Sequence, residues 1–214
     1  MSKAPTGTVE LTMKRPSRCL VFLVFAWGLL LCANTVAAEK WPDEDLIAVE
    51  LRRTAVAPDS LATVSIAAPI EFVFDFLSRR PDDYTENAVG VAFDHTDSEV
   101  AGRLGSGSDR LITMENGEIL VQRFLHFGAP GSYAYLTDMQ RSTFSAPLNY
   151  SIARYELSSQ EGGGTTLRVA LVYESSSRWM AFFVKRAFNA AVQNDFERAA
   201  EAIAAAWAAM GSDQ

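Results

Sequence analysis

The sequence predicts an α+β fold: an antiparallel sheet of six to seven strands backed by a long C-terminal helix. Three observations predict it. Residues 91–175 form short β-rich runs separated by turn signals. Before them, Ala68-Pro69 opens an aromatic-rich helical stretch. After them, Trp179 to Trp207 runs without Gly or Pro and carries one apolar stripe.

The first segment reads as a leader rather than as fold. Lys14, Arg15 and Arg18 form a basic region, "CLVFLVFAWGLLLCA" an apolar one, and Val36 and Ala38 supply small residues before Glu39. That is the layout of a cleaved signal peptide covering 1–38. The apolar run is about 15 residues, short of the roughly 20 needed to span a bilayer. Its loss would remove four bases (Lys3, Lys14, Arg15, Arg18) and one acid (Glu10), taking the net charge from −7 to −10. So acidic a chain has no electrostatic grip on nucleic acid or anionic lipid. Cys19 and Cys32 would leave too, with any disulfide, thiol nucleophile or thiolate metal site. The expected location is periplasmic or secreted.

Residues 39–60 read as a lead-in, with "DLIAVELRR" as a possible first strand and Pro58-Asp59 as a turn. "LATVSIAAP" alternates around Val64 and Ile66 as a strand does. In "APIEFVFDFLSRR", Phe72, Phe76 and Leu77 recur at helical spacing, Arg79 and Arg80 suit the C-terminal end, and Pro81 stops the helix. "PDDYTENAVG" is a turn or a short second helix. Six strands then follow, "VAFDHTD", "SDRLITME", "EILVQRFLHF", "SYAYLTDM", "YSIARYELS" and "TTLRVALVYES". The Asn116-Gly117 pair between two of them is a strong hairpin signal. Ser176 or Ser177 can cap the last helix.

On that helix, Ala181, Phe188, Val192, Phe196, Ala199, Ile203 and Trp207 share one sector, and charges recur at nearly every turn from Lys185 to Glu201. The pattern fits a helix packed on a sheet and excludes a membrane span.

"VSIAAPIEFVFDFLS", "GGGTTLRVALVYE" and the helix after them resemble the START/SRPBCC superfamily of polyketide cyclases, pollen-allergen-like proteins and lipid-transfer domains. The resemblance covers residues 60–209 and implies a helix-grip fold over 61–210, a curved sheet wrapped around the last helix with a hydrophobic cavity between them. Phe182, Phe188 and Asn189 would then line that cavity.

Two cations could serve as polar handles there. Lys185 falls within the apolar sector, so it must snorkel to water or meet a partner or ligand. In "EILVQRFLHF" the more apolar parity is Ile119, Val121, Arg123, Leu125 and Phe127. Assigned inward, it sends Val121, Arg123 and Leu125 into the cavity, unless Arg123 pairs with an acid or the strand bulges. Leu167, Val169, Leu171 and Tyr173 share a face of the last strand, and Leu171 is a further candidate lining residue. Tyr133 and Tyr135 share a face and could present hydroxyls or form an exposed ladder. His95 and His126 have no metal-ligand spacing, and "GRLGSGSDR" opens no helix. Neither a metal nor a cofactor is implied.

Three functions remain open. The expected one is an exported, non-catalytic binder or carrier of a hydrophobic or amphipathic small molecule or lipid. The alternatives are a cofactor-free cyclase or dehydratase, and a structural domain whose cavity is filled.

Overall fold

The computed structural model describes residues 42–177 and 181–212; side chains at 181–184, 187–191 and 212 fall outside that description. The leader assigned to 1–38 lies outside the described residues, as do residues 178–180, which separate the expected cap, Ser176 or Ser177, from the helix that begins at Ala181.

The chain enters through a helix where the sequence suggested a strand: α1, Glu44–Val56. Asp43 caps it, accepting a hydrogen bond from the Leu46 N–H at 2.8 Å, with Glu44 and Asp45 in the first turn and Arg53 in the last. Leu46, Ile47 and Leu51 pack against Leu136, Tyr150, Ile152 and Val172 of the sheet. Arg53 bonds to Glu50 and Asp59, and Arg154 reaches Thr54 Oγ1 at 3.0 Å. These contacts hold α1 to its sheet face. The mixed run "DLIAVEL" fits both periods, and the Asp43 cap is what favours the helix.

Strand β1 (Ser60–Ile66) alternates buried and exposed along its whole length. Helix α2 (Ile70–Arg79) follows Pro69 as expected and buries Val73, Phe74, Phe76 and Leu77. A single 3-10 turn, Pro81–Asp83, ends it. Strands β2 (Ala88–Asp94), β3 (Asp109–Met114), β4 (Ile119–Gly128), β5 (Ser132–Asp138), β6 (Leu148–Ser159) and β7 (Thr165–Ser175) form the meander. All pairs are antiparallel, in the order β1-β7-β6-β5-β4-β3-β2. At the β3–β4 hairpin Gly117 has φ of +83°, which a residue with a Cβ would adopt only under strain. The Asn116 side chain secures the turn by accepting from the Glu118 N–H at 3.0 Å.

Helix α3 (Ala181–Ser212) lies on the inner face of this curved sheet. Its stripe is seated as expected at Val192, Phe196, Ala199 and Ile203, the last two fully buried. Ala199 lets the helix approach closely. Trp207, the end of the stripe, is 39 % exposed and packs on Phe72 of α2 at 5.1 Å between ring centroids.

The main core lies between the inner face, α2 and α3, and a smaller one lies under α1 on the outer face. The sheet is therefore covered on both sides, not on one side as the order of elements suggested. No helix among the described residues is long and apolar enough to cross a membrane.

Candidate functional site

The inner face is set by strand register. Arg110 of β3 lies opposite Gln122 of β4, and Ile112 opposite Leu120. Phe124 faces Tyr135, and Tyr133 faces Tyr155. Above this row, Val192 and Phe196 of α3 and the loop Pro81–Glu86 complete a cavity of about 280 Å³. Its floor at Ile112, Leu120 and Leu171 is apolar.

Arg110 is the chemical centre of the cavity. It is 1 % exposed. Its Nε and Nη2 donate to Gln122 Oε1 at 2.9 and 2.5 Å, and its Nη1 donates to the carbonyls of Leu77 and Ser78 at 3.0 and 3.1 Å. Those carbonyls belong to the last turn of α2, the negative end of its dipole. The guanidinium also stacks over the rings of Tyr135 and Phe124, 5.0 and 5.3 Å from their centroids. Among the described residues no carboxylate lies within ion-pair distance of it. Burial works against its charge, and the coulombic pull of Tyr84, Tyr133, Tyr135 and Tyr155 in their ionised forms raises its pKa above the ordinary range; while these phenols are protonated that pull is weak.

Four tyrosines surround this cation. The Tyr84 hydroxyl donates to the Leu77 carbonyl at 2.9 Å. Those of Tyr135 and Tyr155 bond to each other at 3.2 Å. The Tyr133 and Tyr155 rings stack at 4.4 Å, and Phe196 meets Tyr155 edge-on at 5.6 Å. The Tyr133 hydroxyl is buried without a hydrogen bond of good geometry. Burial pushes Tyr84 up to about 12, and Tyr133 and Tyr155 well above the usual phenol range. At neutral pH these groups are protonated donors. At the mouth, Arg198 of α3 pairs with Asp195 and, at 3.7 Å, with Glu86.

The sequence-predicted site residues are divided by this geometry. Leu171 lines the cavity. Leu125 packs on the outer-face core beneath α1. Arg123, across from Leu136, belongs to the same outer face and pairs with Asp109 at 3.1 Å and Asp97 at 3.0 Å. Val121, two positions from Arg123, shares that face and is buried there. The inward assignment of Val121, Arg123 and Leu125 is corrected for a physical reason. The outer face is buried as well, so both rows of β4 are apolar and hydrophobicity does not distinguish them. A bulge between Phe124 and His126 then returns Phe127 to the inner core.

Lys185 is exposed and does not enter the cavity. Lys185→Met should therefore leave ligand binding unchanged and shift stability by no more than about 0.5 kcal/mol, as a denaturant titration would show. The side chains of Phe182, Phe188 and Asn189 lie outside the described residues. Tyr133 and Tyr135 face inward and form no exposed ladder. His95 bonds to Ser108 and His126 to Ser132, each at 3.0 Å.

Sequence reasoning missed Arg110, Gln122, Tyr84 and Tyr155. The Asn116-Gly117 pair marked the hairpin but not its register: the strands pair about Asn116, which sets Arg110 opposite Gln122, whereas a two-residue Asn-Gly turn would set it opposite Arg123. A second depression, of about 440 Å³, lies beside the Gly162–Gly164 hairpin and Trp207. It is open to solvent and remote from the tyrosines.

No family model matches the chain, and no curated protein matches its sequence. Solved structures do match. A START superfamily protein from Mycobacterium smegmatis aligns at 14 % identity over 70 % of this chain and 97 % of its own, with a TM-score of 0.53. The protein TTHA0849 from Thermus thermophilus aligns at 15 % identity over 69 % and 97 %, with a TM-score of 0.50. At such identities the likeness is one of fold alone: a helix-grip, a curved antiparallel sheet around a C-terminal helix.

Proposed function

We propose that this chain is an exported protein that binds a hydrophobic or amphipathic small molecule between its sheet and α3. The observation that carries this reading is the cavity itself: a concave, largely apolar space with a few convergent polar groups is the usual form of a ligand site. The helix-grip fold supports it, since START-type domains hold hydrophobic ligands in this position. The protonation of the tyrosines favours binding over proton-abstracting catalysis, because a phenol whose pKa is near 12 or higher is a poor base at neutral pH.

Native mass spectrometry of gently purified protein, followed by titration with octanol, tests the reading. A co-purifying adduct or saturable octanol uptake supports it. A chain that arrives empty and takes up no octanol would remove it.

The export half rests on the leader-like segment 1–38. N-terminal sequencing of the product should begin at Glu39. Retention of Met1 in a membrane fraction would overturn it.

A further inference from the structure

We infer that the ligand of this cavity carries a carboxylate head and seats it at Arg110, with its apolar body directed toward Leu171, Val192 and Phe196. This deepens the proposed function and rests on it.

Three observations point the same way. First, Arg110 is buried with a full positive charge, and all four of its hydrogen-bond contacts are to neutral oxygens. A desolvated cation is normally matched by an anion, because partial charges offset only part of the desolvation penalty. The α2 C-terminus supplies about half an opposite charge. The remainder is available to a guest. These contacts use four of the five guanidinium N–H groups, and the remaining Nη2 N–H can donate to one carboxylate oxygen.

Second, the oxygens around Arg110 can donate. Burial keeps Tyr84 and Tyr155, which line the cavity, protonated, and the Tyr84 proton is committed to the Leu77 carbonyl. The Tyr135–Tyr155 pair shares one proton between two oxygens, so one O–H is left for a further acceptor. A carboxylate, which only accepts, fits this spare O–H beside the guanidinium. An amine or guanidine head would meet like charge.

Third, the charge is graded along the cavity. Glu86 and Asp195 stand at the mouth, bridged by Arg198, while the interior holds Arg110. An amphiphile bearing an anion is repelled head-out and attracted head-in, which fixes its orientation. The volume sets its size. At about 30 Å³ per water-sized group, 280 Å³ accepts about nine such groups. A medium-chain fatty acid has that bulk, and octanoate is the matching probe.

The test compares octanoate with octanol on wild-type protein by calorimetric titration at neutral pH, where the acid is ionised. A charge-assisted contact predicts that octanoate binds about 10- to 100-fold more tightly. Arg110→Met should abolish that preference while octanol still binds. Tyr155→Phe, which disturbs the fold less, should weaken octanoate by roughly 2- to 10-fold and spare octanol. If Arg110→Met fails to fold by circular dichroism, the wild-type comparison and Tyr155→Phe decide the matter. Equal affinity of wild type for the two probes overturns the carboxylate assignment and leaves the cavity reading standing. Binding of neither probe overturns both.

Discussion

Replacing Phe196 with alanine should lower the unfolding free energy by about 3–5 kcal/mol. Phe196 is 8 % exposed and stands where α3, Tyr155 and the cavity meet. Truncation removes its burial and its edge-on contact with Tyr155, and leaves a void that Ala199 on the next turn is too small to fill. A urea titration should show a lower midpoint with an unchanged slope. A loss below about 1 kcal/mol would mean that α3 is not gripped by the sheet at this position.

The second large effect is alkaline unfolding. Tyr84, Tyr133 and Tyr155 have folded-state pKa values raised by burial, and in the unfolded chain each returns to about 10. Below pH 10 the tyrosines are protonated in both states, and the stabilisation from their neutral burial is fully present. Above pH 10 the unfolded chain releases protons that the folded chain retains, so stability falls. The fall continues through the folded value, about 12 for Tyr84. Each tyrosine contributes a slope of about 1.4 kcal/mol per pH unit, and three together about 4. A domain of ordinary stability should therefore unfold within two to three units above pH 10. Stability measured against pH, with tyrosinate absorbance read in parallel, checks this. Tyr133→Phe should flatten the slope by about one tyrosine's share. Native-state ionisation near pH 10 without loss of stability would contradict the buried cluster.

What could be read from the sequence followed from periodicity. The stripe Val192, Phe196, Ala199, Ile203 repeats at helical spacing, and the face of Leu167, Val169 and Leu171 alternates at strand spacing. The helix was legible because its other side is polar, and the strand because Arg168 and Glu174 mark its second row even though Ala170 and Val172 in that row are buried. The failures occurred where that contrast disappears. The α1 segment satisfied two periods at once, and only the cap at Asp43 separates them. On β4 both faces are buried, so nothing in Ile119 to Leu125 said which row faces the cavity. Arg110 was hidden for another reason. Its backbone partners are the carbonyls of Leu77 and Ser78, more than thirty residues earlier, and a carbonyl leaves no mark in the residue alphabet. Lys185 and Arg123 stand out in the sequence as cations within apolar runs, yet both reach solvent.

The tie between Arg110 and the end of α2 bears on how the chain reaches its native state. A guanidinium stripped of water before α2 arrives would have only Gln122 to receive it. The β3–β4 hairpin gains little by closing over that charge alone, and α2, although its apolar face packs on the sheet, leaves the Ser78 carbonyl without this donor. Docking of the helix and dehydration of the arginine are thus parts of one cooperative event, which links segments far apart in the chain. A half-assembled molecule lacks both the wall of the cavity and the charge inside it, and so offers a ligand nothing to recognise.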